Sequence, residues 1–119
     1  MADFLSVRGV SRSFLSSTPG GAPTVALQAT DLTVVENDFI TILGPSGCGK
    51  STLLRIVAGL DHQTSGEVLL DGKRIEGPGA DRGMVFQSYT LFPWLTVRDN
   101  VCFGLHERGL PRAQQLEVA

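Results

Sequence analysis

The residues best equipped for chemistry lie in one short stretch, ILGPSGCGKSTLL, from Ile42 to Leu54. Gly44, Gly49, Lys50 and Ser51 satisfy G-x-x-x-x-G-K-[ST] without a gap; Pro45, Ser46, Gly47 and Cys48 fill the interval and Thr52 follows. This composition suits an anion with many oxygens. A loop of small residues can curl its backbone around a triphosphate and aim several N–H groups inward. A helix beginning at Lys50 adds unsatisfied donors and the positive end of its dipole. The Lys50 ammonium can then reach the β- and γ-phosphates, and the Ser51 hydroxyl can ligand Mg²⁺. The bland alternative is a chance match in a glycine-rich turn, which carries no requirement for a strand before it and a helix after it.

Both flanks are expected here. FITIL, Phe39–Leu43, is β-branched and uncharged, which predicts a strand buried on both faces. In KSTLLRIVAGL, Leu53, Leu54, Val57 and Leu60 fall near helical spacing and Gly59 marks the stop. Further out, Phe4–Val10 alternates loosely and predicts an opening strand, and Ser16–Thr24 is the plainest loop. Val25–Val35 alternates late in its run. GEVLLDGKRI predicts a hairpin turning at Asp71-Gly72, and Gly83–Gln87 a short buried strand. TVRDNVCFGL predicts a helix capped by Thr96, with Val97, Val101 and Leu105 on one face, and another helix begins at Pro111. That order of elements fits a layered α/β or α+β domain.

Composition narrows the classes without choosing among them. The 119 residues are 42% apolar and 18% charged, which allows one globular domain or part of a larger one. A net charge of −2 gives no electrostatic case for a nucleic-acid partner. The longest apolar runs fall far short of the roughly 20 residues a membrane span needs, and the N-terminus has no signal-like apolar core. Cys48 and Cys102 have no metal-ligand spacing and read as free thiols. His62 and His106 read as solvent-facing, and Arg82 and Arg98 as surface or salt-bridging groups.

Three stretches together, GPSGCGKSTLLRIVAGL, SGEVLLDGKRI and DRGMVFQSYTLFPWLTVRDNVCFGL, closely resemble the ATP-binding cassette (ABC) transport ATPases. Within that family the likeness is greatest to import subunits for nitrate, sulfonate, taurine and related small anions or organic compounds. It runs from about residue 4 to the C-terminus. The implied fold is α/β, of the P-loop NTPase type. It comprises the N-terminal part of a nucleotide-binding domain: an antiparallel β subdomain, the start of a parallel core sheet and the start of a helical subdomain. The implied partial domain covers 1–119, with the phosphate loop at 44–52, a glutamine loop at about 85–95 and the helical subdomain starting at about 96–119.

The resemblance also implies roles. ATP and Mg²⁺ are the ligands, bound by Gly44 through Thr52, with Lys50 and Gln87 catalytic and Ser51 and Gln87 on the metal. Phe14 sits where the family places an aromatic that stacks on adenine; otherwise it is a core residue after the first strand. Gln87 matches the glutamine that contacts Mg²⁺ and the attacking water, as a neutral amide able to donate and accept; otherwise it is a polar strand-end residue. Leu91–Val97 matches the segment that meets a membrane permease, although Trp94 could equally pack within the helical subdomain. The family also implies a second ATPase subunit forming a homodimer, an extracytoplasmic solute-binding protein acting indirectly, and a location on the cytoplasmic face of the cell membrane.

Family members continue further. These residues contain no signature stretch resembling Leu-Ser-Gly-Gly-Gln, no second acidic motif, no catalytic glutamate beside it and no switch histidine. The chain is therefore expected to be a truncated product, to leave FITIL at an open sheet edge, and to turn ATP over weakly or not at all. A catalytically inactive nucleotide-binding fragment, or a soluble ABC-type ATPase not involved in transport, are the alternatives.

Overall fold

The computed structural model describes residues 3–119, so the first two residues of the expected domain lie outside it. The chain forms two compact units, one reaching to Met84 and one from Val85 to Ala119. No helix among the described residues is long and apolar enough to cross a membrane.

In the first unit, β1 (Asp3–Phe14), β2 (Thr24–Val35), β3 (Ser65–Leu70) and β4 (Lys73–Arg74) form one antiparallel sheet in the order β2-β1-β3-β4. The opening strand is longer than its loose alternation suggests because a bulge resets it. Val7 and Val10 are both buried, although an odd separation puts residues on opposite faces of a regular strand. The pairing register shifts between them, Gly9 takes φ 56°, and its N–H donates to Asp31 Oδ1 at 2.7 Å. The extra residue returns Val10 to the core side. The hairpin forms as predicted: Leu70 pairs with Lys73, and Asp71 and Gly72 take φ 50° and 79° in the two-residue turn.

Helix α1 (Lys50–Ala58) packs its apolar stripe on this sheet. Leu53 and Ile56 meet Val7, Val10, Leu27 and Val68 in one buried cluster, each side chain contributing about 1.5–3 kcal/mol of transfer free energy. The helix stops where the sequence predicts. Gly59 and Leu60 donate back to the Ile56 and Arg55 carbonyls at 3.0 and 2.9 Å, a Schellman ending.

Two expected strands do not form. Phe39–Leu43 is irregular, with Phe39 and Leu43 94% and 88% exposed, and Gly83–Gln87 is likewise outside any strand, with Val85 97% exposed. A buried strand takes its hydrogen bonds from neighbours on either side. Among the described residues no strand lies beside either segment, and apolar composition cannot substitute for a partner.

The second unit contains α2 (Val97–Glu107) and α3 (Arg112–Val118). Thr96 caps α2 as predicted, its hydroxyl accepting the Asp99 N–H at 3.1 Å. Asn100 fastens the preceding turn: its Oδ1 accepts the Phe92 N–H, and its Nδ2 donates to the Thr96 carbonyl, both at 2.9 Å. The expected apolar face is corrected. Val97 and Val101 are exposed, whereas Cys102 is buried against α3, its Sγ 3.7 Å from the Gln115 carbonyl. In so short a helix pair, the side facing the neighbouring helix decides burial, and Cys102 occupies it.

Asp99 joins the two helices through Arg112 at 2.6 Å. That hydrogen bond, with smaller help from Thr96 and the Arg98 charge, holds the Asp99 carboxyl below its ordinary value of 3.8 despite some opposing desolvation. A carboxyl depressed in the folded state stabilises above its unfolded pKa and loses that contribution as pH falls through its folded one. The α2–α3 pair should therefore lose helicity as pH drops below the usual carboxylate range. Asp99→Asn should remove that component of a circular-dichroism acid titration, its helicity at neutral pH already lowered toward that of the acidified wild type.

Candidate phosphate-binding site

The loop from Gly44 to Gly49 leads directly into α1. Gly49 is the N-cap, at φ 101° and without a side-chain cap. It lies hard against β2: a Cβ there would stand 2.6 Å from the Ala26 carbonyl oxygen and 2.9 Å from Leu27 Cδ1. Only glycine gives both this backbone angle and this approach. The first hydrogen bond of the helix runs from the Leu53 N–H to the Gly49 carbonyl at 2.9 Å. The N–H groups of Lys50, Ser51 and Thr52 thus have no helical acceptor and sit at the positive end of the helix dipole.

Lys50 folds back over the loop. Its Nζ donates to the Gly44 carbonyl and, at 2.9 Å, to the Pro45 carbonyl, and lies 3.6 Å from Cys48 Sγ. The ammonium therefore rests on the loop it would share with an anion. Ser46, Gly47, Cys48 and Ser51 are exposed, while Gly49, Lys50 and Thr52 are half-buried. A cavity of about 470 Å³ opens between Gly47, Cys48 and residues 25–30 of β2. Cys48 and Cys102 are both free thiols. Among the described residues no cluster of three or more His, Cys, Asp and Glu side chains could hold a metal.

The remaining predicted residues fall in two places. Phe14 ends β1 in the same unit as the loop, 45% exposed, with the Arg12 guanidinium 4.4 Å from its ring centroid. Gln87 belongs to the second unit and is exposed. His62 and His106 are exposed, as expected. In the second unit Leu91, Trp94 and Val97 are exposed, and Phe92 lies beneath, its ring 4.5 Å from that of Phe103 and 5.2 Å from that of Trp94.

Of the two roles expected for Arg82, surface or salt-bridging, it takes the second, pairing with Asp81. Its side chain is only 14% exposed. Nη1 donates to the Val57 carbonyl at 3.0 Å, Nη2 to the Gly77 carbonyl at 2.8 Å, and Nε to Asp81 at 3.1 Å. It fastens the Gly77–Arg82 segment to the last turn of α1, where a cation also complements the helix dipole. Nothing in the local sequence marks this, because both distant partners are main-chain carbonyls. Arg82→Ala should cost about 3 kcal/mol in a urea unfolding experiment, from lost charged hydrogen bonds at a half-buried position. Arg82→Lys, with one donor centre instead of a fork, should recover only part.

Residues 27–119 match the family model of the ABC transporter. The chain belongs to that family. Its ABC relatives include an ABC transporter ATP-binding protein of Methanocaldococcus jannaschii, 62% identical over 94 residues, covering 79% of this chain and 35% of that one. The nitrate import ATP-binding protein NrtD of Synechocystis is 53% identical over 95 residues, covering 80% and 36%. The taurine import ATP-binding protein TauB of Shigella flexneri is 50% identical over 107 residues, covering 90% and 41%. Among solved ABC structures, a dimeric ATP-binding cassette in a post-hydrolysis state with ADP and Pi superposes with a TM-score of 0.80 at 30% identity, over 95% of this chain and 53% of that one. The chain thus spans between 35% and 41% of the length of these three curated relatives. The fold is that of the N-terminal part of an ABC cassette.

Proposed function

We propose that this chain carries the MgATP-binding part of an ABC importer subunit, with Gly44 through Thr52 cradling the phosphates. One observation carries this reading: α1 begins with three N–H groups free of helical acceptors, beside a lysine ammonium that donates to two loop carbonyls and lies near a thiol. A triphosphate offers those donors acceptors of opposite charge. The kinship to import proteins for nitrate and taurine supports uptake of a small anion or organic solute as the process served.

Mg²⁺ fits the same place, since Ser51 presents a hydroxyl on the exposed side of the first helical turn. When bound, the ion neutralises charge on the β- and γ-phosphates. Ser51 would hold it, and the resemblance assigns the other contact to Gln87. Lys50 would hold the phosphate oxygens and Phe14 the adenine.

By the same resemblance the partners are a second ATPase subunit and a permease. The exposed Leu91, Trp94 and Val97 support a permease contact near Leu91–Val97. A solute-binding protein would act indirectly, at the far side of a membrane whose cytoplasmic face this subunit lines. Partition of residues 44–52, 85–95 and 96–119 into phosphate loop, glutamine loop and helical subdomain belongs to this proposal.

The test is calorimetric titration of the purified chain with MgATP beside a turnover assay. Saturable binding with weak or absent hydrolysis is expected, since no general base or signature stretch occurs in these residues. No binding at millimolar ATP would refute the reading.

A further inference from the structure

We propose that Arg12 is a positioning residue that holds the Phe14 ring ready to stack on the base of the bound nucleotide, an inference resting on the ATP-binding reading above. Arg12 and Phe14 lie at the end of β1, where the pairing register shifts between Arg12 and Ser13, and their side chains meet there. The guanidinium carbon lies 4.4 Å from the ring centroid, within cation–π range. Its other end is fixed: Nη2 is 3.2 Å from Asp61 Oδ1, and both side chains are about three-quarters buried. Asp61 follows the end of α1, where its own N–H reaches the Arg55 carbonyl.

The guanidinium is therefore a strut between the end of the phosphate-loop helix and the ring. Its Nε–H is buried without an acceptor. That is a costly arrangement for a donor, so its place is dictated by the ring and by Asp61 rather than by its own full hydrogen bonding. With one ring face covered and close to half of Phe14 still exposed, a single face remains for a base. A ring already held in place loses less freedom when a base lands on it. Arg12 acts through Phe14 and needs no contact with the nucleotide.

Affinities for ATP and for inorganic tripolyphosphate, measured by calorimetry on the full chain, separate this role from simple structural support. Phe14→Ala should weaken ATP about tenfold, the value of one base–aromatic stack, and leave tripolyphosphate unchanged. Arg12→Ala should weaken ATP roughly fivefold, again without touching tripolyphosphate, and the double variant should be no worse than Phe14→Ala alone. Arg12→Lys, charged but not planar, should recover part of the loss. ATP affinity equal to wild type in Arg12→Ala, equal losses for both ligands, or additive losses in the double variant would each overturn the proposal. If Arg12→Ala does not fold, Asp61→Asn frees the guanidinium in place and must show the same ATP-only loss; unchanged ATP affinity there also overturns it. Tripolyphosphate binding that depends on Lys50 keeps the underlying site intact even when Arg12 fails these tests. Absence of that binding in the unaltered chain removes the site itself.

Discussion

Lys50→Ala should lower ATP affinity by about a hundredfold, the effect of losing charge-assisted hydrogen bonds totalling about 3 kcal/mol. The lysine is well prepared for the task. Its ammonium already lies over the loop, held by the Gly44 and Pro45 carbonyls, so little side-chain freedom remains to be lost when an anion arrives. The same bonds mean that alanine also unties the start of the loop, which would blur a measurement with ATP alone. Adenosine resolves this. It lacks phosphates, so Lys50→Ala should leave its weak binding unchanged while tripolyphosphate affinity falls in step with that of ATP. Equal ATP affinity in the two proteins would show that the loop holds no phosphate.

Gly49→Ala should be as damaging by a different route. A methyl group at this position would meet the Ala26 carbonyl at 2.6 Å, and the backbone angle of 101° is one that alanine adopts only under strain. The strain alone costs about 1–3 kcal/mol. The contact is with main chain of β2, which is paired to β1 and cannot easily step aside. The helix start must therefore move away from the sheet, and Leu53 and Ile56 with it, since they share the buried cluster with Leu27. Loss of about 3 kcal/mol or more in urea unfolding is expected, together with loss of tripolyphosphate binding. Gly47→Ala makes a useful comparison: nothing lies within 4 Å of a Cβ there, so only its φ of 81° resists. Stability of Gly49→Ala matching that of Gly47→Ala would mean that the approach to β2 does not constrain the loop.

Local signals were read correctly wherever the information was local. The two-residue turn at Asp71-Gly72, the Thr96 cap, the Gly59 stop and the start of α3 after Pro111 each depend on a few neighbouring residues, and each appears in the structure. The helix start at Lys50 and Ser51 was legible for the same reason, since the glycine-rich run ahead of KSTLL places both on the first turn. What failed required knowledge of a partner. Phe39–Leu43 has strand composition, but a strand exists only beside another, and none is adjacent among the described residues. The side of α2 that is buried was misjudged because Val97 and Val101 outrank Cys102 in hydrophobicity, whereas α3 lies against Cys102. The bulge at Gly9 was hidden too, because the Asp31 carboxylate that fixes it comes from another strand.

The grip of Arg82 falls on carbonyl oxygens of Val57 and Gly77, which every amino acid supplies alike. A saturation-mutagenesis survey should consequently find position 57 forgiving of exchange among aliphatic residues, and position 82 damaged by every exchange, with lysine the least damaging.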